Sequence, residues 1–360
     1  NMPTEAAAAA GVTAARSVAS RRILRLALGT GLCLLFSQAV AWPLSFIAPV
    51  LTLVILGLPL PPPGLKKSIV FVLAMVAPML VGGWILLPFL EHMRAAGILL
   101  VALGLFYTFY YTARGGQPVI GTFMTIGLTV IVTVGSISSE IMMMLVQGLA
   151  VCAAVALVFV HIAHALLPDS PRQALSAKNP GTPPSDPASA GRRALRSLAI
   201  VLPVALVFLF MSGSPAYTVV MIKVATMGQQ ATADQSRTMG RSLLESTLWG
   251  GLGAVVSWNL LSVWPSLLFY TLLITLAALF FGRWIFRGQA LHRKAQMGSY
   301  AFLTMVVILA PAVLDGAGSS GAGSAFWSRL GLFVLIAVYG TVAVRVFDAF
   351  WPGPARDSTV

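Results

Sequence analysis

The chain has 360 residues, of which 58% are hydrophobic and only 9% charged. Soluble proteins carry about 25% charged residues, so no water-facing surface can be assembled from this composition, and a soluble enzyme, a disordered chain and a disulfide scaffold are excluded. The net charge of +13 comes from 23 Lys and Arg against 10 Asp and Glu; nucleic-acid binding is set aside because these charges fall in the loops between apolar runs.

Those runs are long and continuous rather than alternating, which argues against a transmembrane β-barrel. The expected fold is an all-α polytopic membrane protein. A crossing helix needs about 20 mostly apolar residues, and this ruler marks twelve stretches. They are 23–41, 43–59, 68–90, 95–112, 117–134 and 140–167, then 195–212, 215–231, 241–263, 265–286, 297–314 and 326–349. Residues 1–20 read as a disordered tail, 21–167 as a first six-helix membrane repeat, 168–193 as a Pro/Ser/Ala/Gly-rich cytoplasmic linker, 194–351 as a second six-helix repeat, and 352–360 as a C-terminal tail. A rival reading of the start is a cleavable signal peptide: Arg16, Arg21, Arg22 and Arg25, an apolar run, then Ala39-Val40-Ala41. Cys33 and Cys152 sit inside apolar runs and read as small buried hydrophobes.

With the N-terminus inside, twenty Lys and Arg fall in inside segments and only Arg94 and Arg329 in outside loops. This positive-inside bias predicts twelve crossings with both termini cytoplasmic, the basic residues meeting an anionic inner leaflet. A shift of 174 residues places Arg22 on Arg196, Lys67-Ser68 on Arg241-Ser242, and Trp84 on Trp258. Six crossings is an even number, so the two halves would form parallel repeats.

The second stretch of each half stands out. Pro43, Pro49 and Pro59, followed by Pro61-Pro62-Pro63-Gly64, predict a broken or re-entrant helix. Its counterpart is cleanly apolar only over Ala216–Met227 and then turns polar at Gln229, Gln230 and Thr232. Interrupted segments at matching places in two halves point to a transporter site. Under the shift, Pro49 falls on Lys223, eight residues after Pro215 and about 12 Å along a helix. An intramembrane lysine is costly unless paired or hydrated. One reading makes Lys223 the anion-binding group of a wet cavity, with Pro49, Gln229 and Gln230 beside it; the other pairs it with Glu245 or Glu140 as a structural salt bridge. Glu245, four residues after Arg241, is a proton-coupling or an ion-pair candidate. Glu140 after Ser138-Ser139 reads as a helix-start residue. His161 and His164 lack further ligands for a metal. Tyr107, Tyr110, Tyr111 and their neighbouring phenylalanines read as an interfacial belt, or in part as the lining of an aromatic pocket. No Walker A sequence, nucleophile elbow, HExxH or CxxC is present, so the expectation is a protein that is not an enzyme and needs no cofactor or metal.

Several features are similar to the fusaric-acid-resistance/aromatic acid exporter superfamily, and more narrowly resemble its compact bacterial branch known as DUF2955. They are the six-span repeat, Arg22-Ile-Leu-Arg25-Leu-Ala-Leu-Gly29, Phe46-Ile-Ala-Pro49, and Gly240-Arg241-Ser-Leu-Leu-Glu245-Ser-Thr-Leu-Trp-Gly250-Gly251. The likeness covers about residues 20–350; the large cytoplasmic domains of bigger relatives have no counterpart. It implies an inner-membrane exporter of small, often aromatic, carboxylic acids, working beside a periplasmic membrane-fusion (HlyD-like) adaptor. Without an ATPase motif, proton coupling is the simplest energy source. The expectation is therefore a multi-pass secondary exporter of small organic anions in the bacterial inner membrane, in contact with the lipid bilayer, with no nucleic-acid partner and with homo-oligomers open. The alternatives are an anion channel using the same lysine and a non-transporting scaffold subunit of an efflux assembly.

Overall fold

The computed structural model describes residues 2–134, 139–169, 186–210, 215–233, 239–287, 290–291, 294–314, 316 and 321–351. Among them lie twelve α-helices. In the first half they are α1 (Met2–Val40), α2 (Ile47–Leu56), α3 (Leu65–His92), α4 (Arg94–Ala113), α5 (Pro118–Val134) and α6 (Ser139–Leu166). In the second they are α7 (Pro187–Phe210), α8 (Pro215–Ala233), α9 (Met239–Val263), α10 (Leu267–Ile285), α11 (Ala295–Leu314) and α12 (Ala322–Phe350). The only strands among the described residues form a two-residue antiparallel ladder, Phe286–Arg287 with Ala290–Leu291.

Among the described residues, eight helices are long and apolar enough to cross a membrane: α1 from Ser17, α3, α4, α6, α7, α10, α11 and α12. The chain is a multi-pass membrane protein. Of the other four expected crossings, α2 and α5 are apolar but short, whereas α8 and α9 have the length but carry more polar residues.

Several boundaries depart from the sequence reading. The expected tail is helical, since α1 starts at Met2; the alanine run Ala6–Ala10 has the highest intrinsic helix propensity. The expected linker is shorter at its end, because 187–193 already belong to α7; its residues 170–185, like the tail at 352–360, lie outside the described residues. The stretch 43–59 yields only the ten residues of α2, about 15 Å of helix against about 30 Å of hydrocarbon. Pro43 has no N–H to continue α1 and disfavours helix at Trp42 before it, and the chain turns through Ala41 and Leu44 at positive φ. Its counterpart departs in the opposite sense: α8 is continuous from Pro215 to Ala233 and is not broken where the sequence turns polar.

The helices form two compact units. One holds α1, α2, the N-terminal part of α3, α6, the C-terminal part of α9, α10, α11 and the start of α12. Within it α1 packs on α10, α2 and α6, and α2 packs on α6 and α11. The other holds the C-terminal part of α3, α4, α5, α7, α8, the start of α9 and the end of α12. Within it α7 packs on α4 and α8, and α8 packs on α5 and α4. Each unit thus draws helices from both sides of residues 170–185. The first helix of one half lies on the fourth of the other (α1 on α10, α7 on α4), and the second lies on the fifth (α2 on α11, α8 on α5).

Helix faces explain this packing. On α10, Tyr270, Ile274, Ala278, Phe281 and Ile285 are buried while Leu268, Leu272, Leu276 and Phe280 are exposed at four-residue spacing, a ridge suited to lipid. Close approach between helices in membranes relies on small residues. In the second unit, a Cβ on Gly228 of α8 would sit 2.5 Å from Val201 Cγ2 of α7 and 2.7 Å from Phe109 Cζ of α4.

Candidate functional site

α8 carries the polar residues the sequence singled out, and it is enclosed: every residue from Thr218 to Thr232 is buried. Lys223 is 1% exposed, Gln229 2% and Gln230 0%. Thr218, Thr226 and Thr232 are buried with them. A helix with this many polar groups is tolerated at membrane depth only where protein surrounds it. α2 makes the contrast. It is buried over nearly its whole length, but Thr52 is the only polar residue in it.

Lys223 and Gln230 are seven residues apart and share one stripe of α8, with Thr226 between them. The Thr226 hydroxyl donates to the Lys223 carbonyl at 2.8 Å. Gln229 points toward α5, where its Nε2 donates to Thr125 Oγ1 at 2.6 Å. The direction of this bond follows from the network. Thr125 spends its own hydroxyl proton on the Gly121 carbonyl at 2.8 Å, so it must accept from Gln229. The amide orientation of Gln229 is thereby set, and its Oε1 is left buried with no hydrogen-bond partner among the described residues. Gln230 Nε2 donates to Ser242 Oγ of α9 at 3.3 Å, and its Oε1 is likewise without a partner. An unmade hydrogen bond on a buried polar group costs about 1–3 kcal/mol, so two such oxygens on adjacent residues are acceptors suited to a ligand's donor groups.

The C-terminal end of α8 is anchored by further polar bonds. Thr232 donates to the Gly228 carbonyl, so Ser197 of α7 donates to Thr232 Oγ1 at 2.7 Å. Arg196 Nη2 caps the Ala231 carbonyl at 2.7 Å, and Arg193 Nη2 reaches the Ala113 carbonyl at the end of α4 at 2.8 Å. Both arginines are buried, at 3% and 7% exposure. From sequence they count among the twenty inside basic residues; in the fold they fasten α7 to α8 and α4.

The remaining expected site residues lie elsewhere. Pro49 is buried on α2, in the other compact unit from Lys223, Gln229 and Gln230. Arg241 is exposed on α9 and Glu245, four residues on, is half-buried. His161 bridges α6 to the proline-rich segment, its Nε2 lying 3.0 Å from the Pro63 carbonyl, and no metal-holding group of His, Cys, Asp or Glu occurs among the described residues. Thr125, Ser242 and Ser197 were not singled out by sequence. Hydroxyl residues recur along membrane helices and bond their own backbone, so only the partner helix reveals which of them matters.

Residues 22–163 match the family model for DUF2955, described as a protein of unknown function. This supports a DUF2955-type family for the chain. The match runs from Arg22 on α1 to Ala163 on α6 and so covers the first half; α8 lies beyond it. No curated protein and no solved structure matches the chain.

Proposed function

We propose that this protein is a secondary exporter of small organic anions, aromatic carboxylic acids foremost, in the bacterial inner membrane, with both termini cytoplasmic. The anion binds at Lys223 on α8, with Gln229 and Gln230 as flanking polar contacts. The observation that carries this reading is the enclosed α8, which holds a lysine and two glutamines at 2% exposure or less inside a multi-pass protein. A buried cation flanked by buried acceptors suits an anion that also carries donors, and a polar helix in an apolar bundle marks a solute path.

The helix boundaries favour a parallel duplication. Adding 174 to Leu65, the start of α3, gives 239, where α9 starts; adding it to the bounds of α4 gives 268–287, against 267–285 for α10. The reciprocal packing of first on fourth and second on fifth helices is what a twofold relation between two six-helix repeats would produce. Lys223 takes the place of Pro49 under this shift, and Gln229 and Gln230 the places of Ile55 and Leu56. The second copy is thereby the polar one, and one copy suffices for the binding site.

The family resemblance favours a superfamily of aromatic acid exporters and a periplasmic membrane-fusion (HlyD-like) adaptor as partner. Proton coupling is the energy source we assign, with Glu245 and Arg241 on α9 as candidates for the proton-carrying pair. The deciding experiment measures export of a panel of aromatic and aliphatic carboxylates from cells making the wild type or Lys223→Met at matched membrane levels, with and without a co-expressed adaptor. Export of an acid by the wild type and its loss in the variant supports the assignment. Equal export by both removes Lys223 from the site, and export that persists after collapse of the proton gradient removes the coupling.

A further inference from the structure

A small cleft lies where α1, α6 and the segment after α2 meet, lined by Arg22, Arg25, His164 and Asp169 on one side and by the chain between Leu56 and Pro61 on the other. We infer that its mouth seats the phosphate of an anionic phospholipid, with the lipid's apolar part against the Leu56–Pro61 wall.

The polar side is built rather than incidental. Arg25 is 5% exposed. Its Nη2 donates to Asp169 Oδ1 at 2.8 Å and to the Leu167 carbonyl at 2.6 Å, and its Nε donates to the same carbonyl at 3.1 Å. The guanidinium is held in one orientation by these bonds. Arg22, three residues earlier on the same helix face and half-buried, adds a second guanidinium to the cleft. Two cations against the single carboxylate of Asp169 leave a net positive cleft among its lining residues. His164 completes the polar side: its Nδ1 lies 2.8 Å from the Val160 carbonyl, and the ring also meets the Leu60 backbone across the cleft.

The other side is Leu56, Leu58, Pro59, Leu60 and Pro61. Proline contributes no N–H, so this wall offers little to a polar ligand. An occupant must therefore be anionic at one end and apolar at the other. Guanidinium forks match phosphate oxygens, and basic pockets between membrane helices take anionic head groups. The position agrees, since the cleft lies beside the last residues of α6 and near Ser17, where the apolar stretch of α1 begins. Inorganic phosphate shares the head-group chemistry but would leave the apolar wall unused. The inference stands apart from the transport reading, because it concerns different helices and a lipid rather than a solute.

The test uses the full-length protein in detergent, measuring retained phospholipid by native mass spectrometry and the thermal midpoint as phosphatidylglycerol, phosphatidylcholine or inorganic phosphate is added. The expected result is selective retention of phosphatidylglycerol by the wild type, weakened about fivefold in Arg22→Gln and unchanged in Lys67→Gln, which removes an exposed charge away from the cleft. Should Arg22→Gln not fold, His164→Leu takes its place with a loss expected in the same direction. Equal retention of both lipids, or equal weakening in Arg22→Gln and Lys67→Gln, overturns the site. Stabilisation by inorganic phosphate that competes with lipid overturns the lipid assignment and leaves a phosphate-ion site.

Discussion

Arg25 Nη2 and Asp169 Oδ1 lie 2.8 Å apart and tie α1 to the residues just past the end of α6. The corresponding end of the second half has a similar tie: Asp348 near the end of α12 lies 2.8 Å from Arg192 Nη2 and 3.5 Å from Arg196 Nη1 on α7. Both ties are partly buried. The Arg25 and Asp169 side chains are 6% and 22% exposed; Asp348 is 33% exposed, and its partners Arg196 and Arg192 are 3% and 16% exposed. Removing the carboxylate strands a buried guanidinium in either case. Asp169→Asn and Asp348→Asn are each expected to lower the thermal midpoint in detergent. An unchanged midpoint in either variant would show that its tie does not hold those helix ends together.

Gly228 and Gly191 make a matched pair of substitutions. A Cβ at Gly228 meets Val201 and Phe109 at 2.5 and 2.7 Å, and one at Gly191 meets nothing within 4 Å. Overpacking a tight contact costs about 1–3 kcal/mol. Relief of glycine's helix penalty gains roughly 0.5–1 kcal/mol where there is space. Gly228→Ala should therefore destabilise and Gly191→Ala should be neutral or stabilising, read from unfolding midpoints of the two purified variants.

The Gln229–Thr125 bond predicts a non-additive double mutant. Thr125→Val strands the buried Gln229 Nε2 and should cost about 1–3 kcal/mol. With Gln229→Leu also in place, no donor is left stranded, and part of that loss should be recovered. Additive losses in the double variant would mean that the two side chains are not coupled.

Lys223→Met distinguishes a binding lysine from a structural one. Replacing a buried ammonium with an apolar side chain of similar length removes a desolvation cost. Export should fall at least about tenfold at matched membrane levels, with the variant still folded. A variant that loses its midpoint along with its activity would identify Lys223 as part of the scaffold.

Much of the secondary structure was legible because apolar length is a local property. The stretch read as 140–167 is helix Ser139–Leu166, and that read as 95–112 is Arg94–Ala113. The prolines of 43–59 predict a broken segment, and a turn through Ala41 and Leu44 followed by the short helix Ile47–Leu56 agrees with it; only the expected bounds are too wide, because composition does not distinguish an apolar turn from an apolar helix. α8 departs from the same expectation. The polar run at Gln229 and Gln230 reads as an interruption, but their amide nitrogens bond to Thr125 and Ser242 on neighbouring helices and the helix continues.

By itself, the sequence determined that this is a multi-pass helical membrane protein, with a lysine and two glutamines placed in one of its helices. The tertiary structure alone decided which helices are enclosed and which face lipid. In a bilayer both surfaces are apolar, so hydropathy carries no sign of which helix meets which. The pairing of α1 with α10 and of α7 with α4, and the enclosure of α8 that gives Lys223 its setting, follow from side-chain fit between segments far apart in the chain.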